Sequence, residues 1–397
     1  MNNTLLNVIK EIVANNGENV LFESKRISAF LADLAREEPK PQKNALLKCL
    51  ENGYAQILKN VSENERDNCK QRLAQRLHDE EGLDLGLCGE TFELLSVVFF
   101  GAAAIFSGWR LIRTFEGFED YDHLNSAAFS PNGEYIVSGS NLTLKLWEAE
   151  SGWFVRSFEG YIHQIRSLVF SPDGKYIVTG SDDKTLKLWE AESGKLVRTF
   201  GGHKDKVTSV AFRPDGKYIV SGSGDKTLKL WEAESGRLIC TFDGHETDVE
   251  SVAFSPDGKH IASGSRDRTL KLWETESGRV VRTSEGHEGW VNSIAFSPDG
   301  KYIVSGPDVK LWEAESGQVI HTFESQERWT NSVAFSPDGN FIISGAHDSA
   351  LKLWETESGR LIRSFEGHES CVNSVAFSPD YKYIVSASDK SLKQWGL

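Results

Sequence analysis

The stretch 195–236 reads KLVRTFGGHKDKVTSVAFRPDGKYIVSGSGDKTLKLWEAESG. It decides the fold, because it is one copy of a unit of about 42 residues that recurs seven times from Arg110 to the C-terminus. Its tryptophan returns at Trp147, Trp189, Trp231, Trp273, Trp312, Trp354 and Trp395, in steps of 42, 42, 42, 39, 42 and 41 residues. A period of this length means that one supersecondary unit is stacked or set in a ring.

Each unit holds four strand signals. In the quoted copy they are 207–212, 217–222, 227–231 and 237–242, short runs of Val, Ile, Thr and aromatic residues broken by Gly, Pro and Asp, which is the mark of antiparallel strands. Apolar or small residues lie on both faces of these runs, as a sheet packed on both sides requires. Pro131, Pro172, Pro214, Pro256, Pro298, Pro337 and Pro379 all occupy the same turn. Proline presets φ for that turn, and the Gly two residues on takes positive φ without strain. The last copy carries Tyr381 in place of this Gly, so about 1 kcal/mol of local strain is expected there.

These residues resemble the WD40 β-propeller family over residues 110–397. The motifs are Gly-His before the innermost strand, Ser-Pro-Asp-Gly between the first two strands, and Asp-Lys-Thr-Leu-Lys-Leu-Trp-Glu into the third. The resemblance implies a mainly β fold with seven blades, each sequence unit supplying the outer strand of one blade and three inner strands of the next. The stretch 109–117 is an outer-strand sequence with no inner strands before it, and 395–397 ends a third strand with none after it. The two are expected to complete one blade, closing the ring and leaving no long unpaired edge. The family pattern also implies a hydrogen-bonded chain inside each blade. It is assigned to His203, Ser221, Asp225 and Trp231, to His245, Ser263, Asp267 and Trp273, and to His368, Ser386, Asp389 and Trp395. These sets look like catalytic triads, but a hydroxyl tied to a buried Trp in every repeat is not a free nucleophile. Phe118, Tyr161 and Gln326 stand where His is expected, and the fifth unit keeps His287 but is three residues short around Pro307 and Asp308. Losing such a bond costs about 1.5–3 kcal/mol, so blades one, two and six are expected to be the softest unless the aromatic replacements pack in compensation.

The first hundred residues change character. Glycine and alternation give way to spacings of three and four, as in Leu5, Val8, Ile9, Ile12 and Val13, or Leu46, Leu47, Leu50, Tyr54, Ile57 and Leu58. About five amphipathic helices are expected over 1–106, ahead of a propeller at 107–397. The run 94–106 lacks charge but has only 13 residues, whereas a membrane span needs about 20. Val20 to Ile27, the cluster Phe30, Leu31, Ala32, Asp33 and Leu34, and the later Leu46, Leu47 and Leu50 resemble a small helical domain attached to many bacterial signalling and defence-type proteins. That resemblance implies an adaptor or self-association module; the alternative is a plain helical cap.

Composition narrows the partners. The formal net charge of −14 argues against nucleic acid, whose phosphates need a basic surface. The five cysteines show no paired spacing, and Lys10 and Glu11 interrupt the first apolar stretch, so a cytoplasmic protein without a signal peptide is expected. HExxH, paired CxxC and phosphate-binding Gly-rich motifs are missing, and no cofactor or metal is expected.

If the scaffold is shared, specificity lies where the copies differ. One varied position precedes the inner strand: His123, Gln164, Lys206, Asp248, Trp290, Trp329 and Cys371. A second lies two residues on: Asn125, Arg166, Thr208, Glu250, Asn292, Asn331 and Asn373. A third precedes the turn Asp, at Asp182, Gly224, Arg266, His347 and Ser388. The resemblance places these at the narrow face around the central channel, where peptides dock. Trp290 and Trp329 hold equivalent positions on adjacent blades, and an exposed Trp pair is costly without a partner. The favoured reading is a non-catalytic scaffold gripping a protein or peptide there, with recruitment or self-association through the helical part. The competing reading is an enzyme or regulatory subunit with a ligand or metal in the channel. Its candidate groups would be Asp182, Asp248, Glu250, His123 and His347, whose spacing marks no ligand set.

Overall fold

The structure, a computed structural model, describes residues 109–118, 122–160, 163–323, 329–389 and 391–396. The helical expectation for 1–106 lies outside the described residues. From Arg110 onward the chain forms one compact unit of seven four-stranded antiparallel sheets. In blade three the strands are Val207–Phe212, Tyr218–Ser223, Thr227–Glu232 and Leu238–Asp243, in that order from the channel outward. Blade seven takes its outer strand from Arg110–Phe115, which pairs antiparallel with Ser391–Gly396. This is the closure expected from the two incomplete units at the ends of the repeat array.

The core lies between blades. Val178, Leu186 and Leu188 of blade two pack on Val207, Val210, Ile219 and Trp231 of blade three. Val385, Ala387 and Leu392 of blade seven pack on Leu124, Ile136 and Trp147 of blade one. Each blade therefore buries its apolar face only against a neighbour, and a ring is the arrangement that leaves none uncovered. Gly222 shows how tight the seam is: a Cβ there would lie 2.8 Å from Val249 of the next blade.

A second ring is polar. The serine following the second varied position occurs in all seven units, and each hydroxyl accepts from a backbone N–H of the next blade. Ser126 accepts from Leu168, Ser167 from Val210, Ser209 from Val252, Ser251 from Ile294, Ser293 from Val333, Ser332 from Val375 and Ser374 from Ala127, at 3.0–3.3 Å. These N–H groups are half of a buried accounting that the sheet ladders leave open. The seven bonds close a girdle around the channel.

Inside the blades, every repeat tryptophan donates its indole N–H to a second-strand hydroxyl, from Trp147 to Ser138 through Trp395 to Ser386. His203 and His245 complete the expected chains, with Nε2 2.7 Å from Ser221 and Ser263 respectively and Nδ1 2.8 and 2.7 Å from Asp225 and Asp267. Blade five, despite its deletion, keeps the chain: His287 lies 2.7 Å from Ser305 and 2.8 Å from Asp308.

Blade seven departs from the assignment made on the sequence. His368 reaches Ser386 at 2.6 Å, but its Nδ1 lies 3.0 Å from Ser391 and not against Asp389. The hairpin is one residue shorter than in blade three, so Ser388 pairs directly with Ser391 and Asp389 is carried to the tip, where it accepts from Asn373 at 2.8 Å. Blade one has no His, yet Phe118 packs on Trp147 with ring centroids 5.4 Å apart. The Lys145 ammonium lies 4.7 Å from the Phe118 ring, and buried Asp122 binds Ser140 and Thr143. Here the aromatic replacement does pack in compensation. Tyr161 and Gln326 lie outside the described residues.

Candidate interaction face

The second varied position is set by a β-bulge in five of the seven blades. In blades two, three, four, six and seven the inner strand slips register between the residue that opens it and the girdle serine, as between Val207 and Ser209. The extra residue is the second varied position: Arg166, Thr208, Glu250, Asn331 or Asn373. A bulge re-aims one side chain without breaking the sheet. Here it turns Thr208, Asn331 and Asn373 toward the next blade and leaves Arg166 and Glu250 to pair within their own.

In four of the seven blades the second varied position is spent on the ring itself. Asn125 donates to the Ile165 carbonyl at 3.0 Å, Thr208 to that of Val249, Asn331 to that of Val372 at 3.2 Å and Asn373 to that of Leu124 at 3.0 Å. Asn331, which the sequence also offers as a partner contact, makes this interblade bond. The recurrence of Asn in four of the seven copies is the signal in the sequence for such a bond.

The charged candidates pair with one another. Arg166 binds Asp182 through Nε and, at 3.1 Å, through Nη2, and Gln164 connects it to Asn125. Lys206 lies 3.3 Å from Asp248. Arg266 bonds Glu250 and lies 3.8 Å from Asp248. His123 is 3.9 Å from Asp389. Such half-exposed pairs fix geometry more than they stabilise.

Trp290 and Trp329 are 44% and 50% exposed, against 3% or less for the seven repeat tryptophans. The Arg266 guanidinium lies 4.4 Å from the Trp290 ring, and the His347 ring lies 6.2 Å from that of Trp329. Asn292 stands beside Trp290 in a part of blade five that is not strand, since the inner strand there is only Ile294–Phe296.

Elsewhere the titratable groups serve the fold. Burial works to raise the Asp308 carboxyl, but hydrogen bonds from His287 and Lys310 outweigh it and hold it near 2. Asp225 and Asp267 are lowered in the same way, burial being overcome by their histidines and by backbone N–H groups. The triad-like sets offer no nucleophile, because Ser221 and Ser263 are wholly buried. Among the described residues no group of three or more His, Cys, Asp and Glu side chains is placed to hold a metal ion. Among the same residues no helix is long and apolar enough to cross a membrane.

No curated protein matches the chain. The family model described as "WD domain, G-beta repeat" matches seven times, at residues 109–148, 152–190, 194–232, 236–274, 278–312, 317–355 and 359–396. Members of this family generally act as protein-interaction scaffolds and are typically non-catalytic. Seven matches over most of the sequence, on seven blades that each hold a Trp-to-hydroxyl bond, place this chain in the WD40 repeat family.

Proposed function

We propose that this chain is a non-catalytic adaptor that grips a protein or peptide at the mouth of its propeller. Trp290 and Trp329 are the anchors. Arg166, Arg266, Lys206, Asp248, Glu250, His123, His347, Asn292 and Asn331 form the polar surround. The first hundred residues supply recruitment or self-association, in the cytoplasm.

One observation carries this reading: two large aromatic side chains stand half exposed at equivalent positions on adjacent blades, while the charged groups around them are already paired. Tryptophan dominates binding hot spots, each often worth about 2 kcal/mol or more, when ringed by groups that exclude water without contributing much themselves. The test is capture of a binding partner by the Trp290→Ala/Trp329→Ala double variant. Capture is expected to be lost while the melting temperature stays within a few degrees of the parent. Loss of folding instead would make both residues core, and undiminished capture would move the site elsewhere.

A further inference from the structure

Every outer strand carries an exposed apolar residue at its start, and in six of the seven a long polar side chain stands just before it. These guards are Arg110, Lys195, Arg237, Arg279, Gln318 and Arg360. Charged side chains so placed keep an edge strand wetted and apart from other chains. Blade one breaks the rule. Its outer strand, Phe154–Phe158, opens on a phenylalanine where the other six have Leu or Val, and Trp153 replaces the guard. Phe154 is 53% exposed and Trp153 74%, the most of any large hydrophobic side chain among the described residues.

These two aromatics border a hollow of about 580 Å³ on the outer rim, at the seam where the ring closes. The closing strand Arg110–Phe115 of blade seven is one wall, and the blade one hairpin that carries Ser151, Gly152 and Trp153 is the other. Arg113 donates through Nη2 to the Glu150 carbonyl at 2.6 Å and ties the walls together. The floor is aromatic: Trp147 packs edge-on against Phe115 and Phe154, with ring centroids 5.4 and 5.6 Å away. Arg110 is exposed at the head of the blade seven wall, and Glu148 and Glu150 are exposed on the blade one hairpin.

We propose that this patch is the interface of a two-fold dimer, in which each copy seats its Trp153 in the hollow of the other. The proposal uses the outer rim alone and is independent of what the mouth binds. A two-fold contact sets one patch against itself, so a projecting group and the cavity that receives it must lie on that same patch. Trp153 and the hollow it borders meet this condition. With the two-fold axis running along the outer strands, the blade one hairpin of each copy lies over the blade seven wall of the other. Glu148 and Glu150 then face Arg110 of the second copy, and like charges stay apart. The area is sufficient. An aromatic side chain buries about 150–250 Å², so at their exposures Trp153 and Phe154 of two copies remove about 400–600 Å² from water. The walls they cover lose a similar amount, which brings the total to the lower end of the roughly 1,200–2,000 Å² that specific interfaces bury.

Sedimentation equilibrium of the full chain at micromolar concentration tests this. The parent is expected to be a dimer. Trp153→Lys/Phe154→Leu installs the pair that blade two carries as Lys195 and Leu196, so the variant should melt like the parent. Its dissociation constant is expected to rise at least about a hundredfold. Trp290→Ala/Trp329→Ala, at the mouth, is expected to leave the dimer unchanged. Arg110→Glu and Glu150→Arg are each expected to weaken association about tenfold. An equimolar mixture of these two variants should regain the parental affinity, because only unlike copies then set opposite charges against each other at both contacts. A monomeric parent, or association that survives the double exchange at 153 and 154, overturns the dimer. A mixture as weak as its two components overturns the two-fold arrangement.

Discussion

The hydroxyl of Tyr381 in blade seven donates to the Asp338 carboxylate in blade six. Tyr381 stands where six other turns have glycine, and it adopts φ 67°, the strained conformation that the sequence leads one to expect. The side chain whose Cβ makes the turn costly also lets the residue reach across the seam, while its ring packs 6.0 Å from Phe377 of its own blade. Burial and the neighbouring charge push its phenol far above the usual range, so it stays a donor.

Removing only that hydroxyl isolates the contact. Tyr381→Phe is expected to lower stability by about 1.5–3 kcal/mol, the value of a hydrogen bond to a charged group. A double-mutant cycle with Asp338→Ala in urea denaturation should return most of that figure as coupling. Coupling below a few tenths would mean that the turn tolerates its strain without this bond.

The serine girdle makes a second expectation. Ser374→Ala leaves the Ala127 N–H without the acceptor that bridges blades seven and one, and an unpaired buried donor costs about 1–3 kcal/mol. Ser209→Ala, in the middle of the array, should cost the same, because the ring has no privileged seam. Two unequal losses in calorimetry would show that one seam opens before the others.

Acid should weaken the propeller in two stages. His368 has Ser391 where blades three to five have an aspartate; burial, and then the charge of Lys393, lower it from 6.5 to about 4. Between those values the unfolded chain binds more protons than the folded one, so stability falls as pH drops from 6.5 toward 4, by up to about 3 kcal/mol. His368→Phe, the arrangement that blade one achieves with Phe118, should flatten melting temperature across that window. A second decline begins below pH 3.8, as the lowered carboxyls of Asp225, Asp267 and Asp308 must take up protons to unfold. A parent whose melting temperature is level from pH 7 to 4 contradicts the first stage.

Deleting 109–117 tests the closure. It removes the outer strand that pairs with Ser391–Gly396 together with Phe115, which packs on Trp147 of blade one, so cooperative thermal unfolding should be lost or shifted down by ten degrees or more. An unchanged melt would mean that the ring does not need this strand.

Much of the architecture was legible because it repeats. Seven copies of one pattern average out local ambiguity, and the out-of-phase ends at 109–117 and 395–397 showed which strands must meet. The interior chains were legible where the loop length was constant, as at His203 and His245. They were misassigned in blade seven, because a one-residue deletion moves Asp389 to the hairpin tip, a shift that residue types do not reveal. The serine girdle was overlooked although its residue is present in all seven units, since an invariant serine beside a variable position says nothing about which N–H it will meet. Of the site residues, Trp290 and Trp329 are exposed, and Asn331 bonds the next blade through its amide, a contact that residue type alone does not reveal.

Periodicity, turn chemistry and the alternation of apolar residues are local properties, so the chain by itself determined the number of blades, their strands and the place of the closing strand. Which side chains face one another across a seam depends on where two separately folded sheets come to rest. That was decided only in three dimensions, where the bulges turn Thr208, Asn331 and Asn373 toward the next blade and Tyr381 finds Asp338.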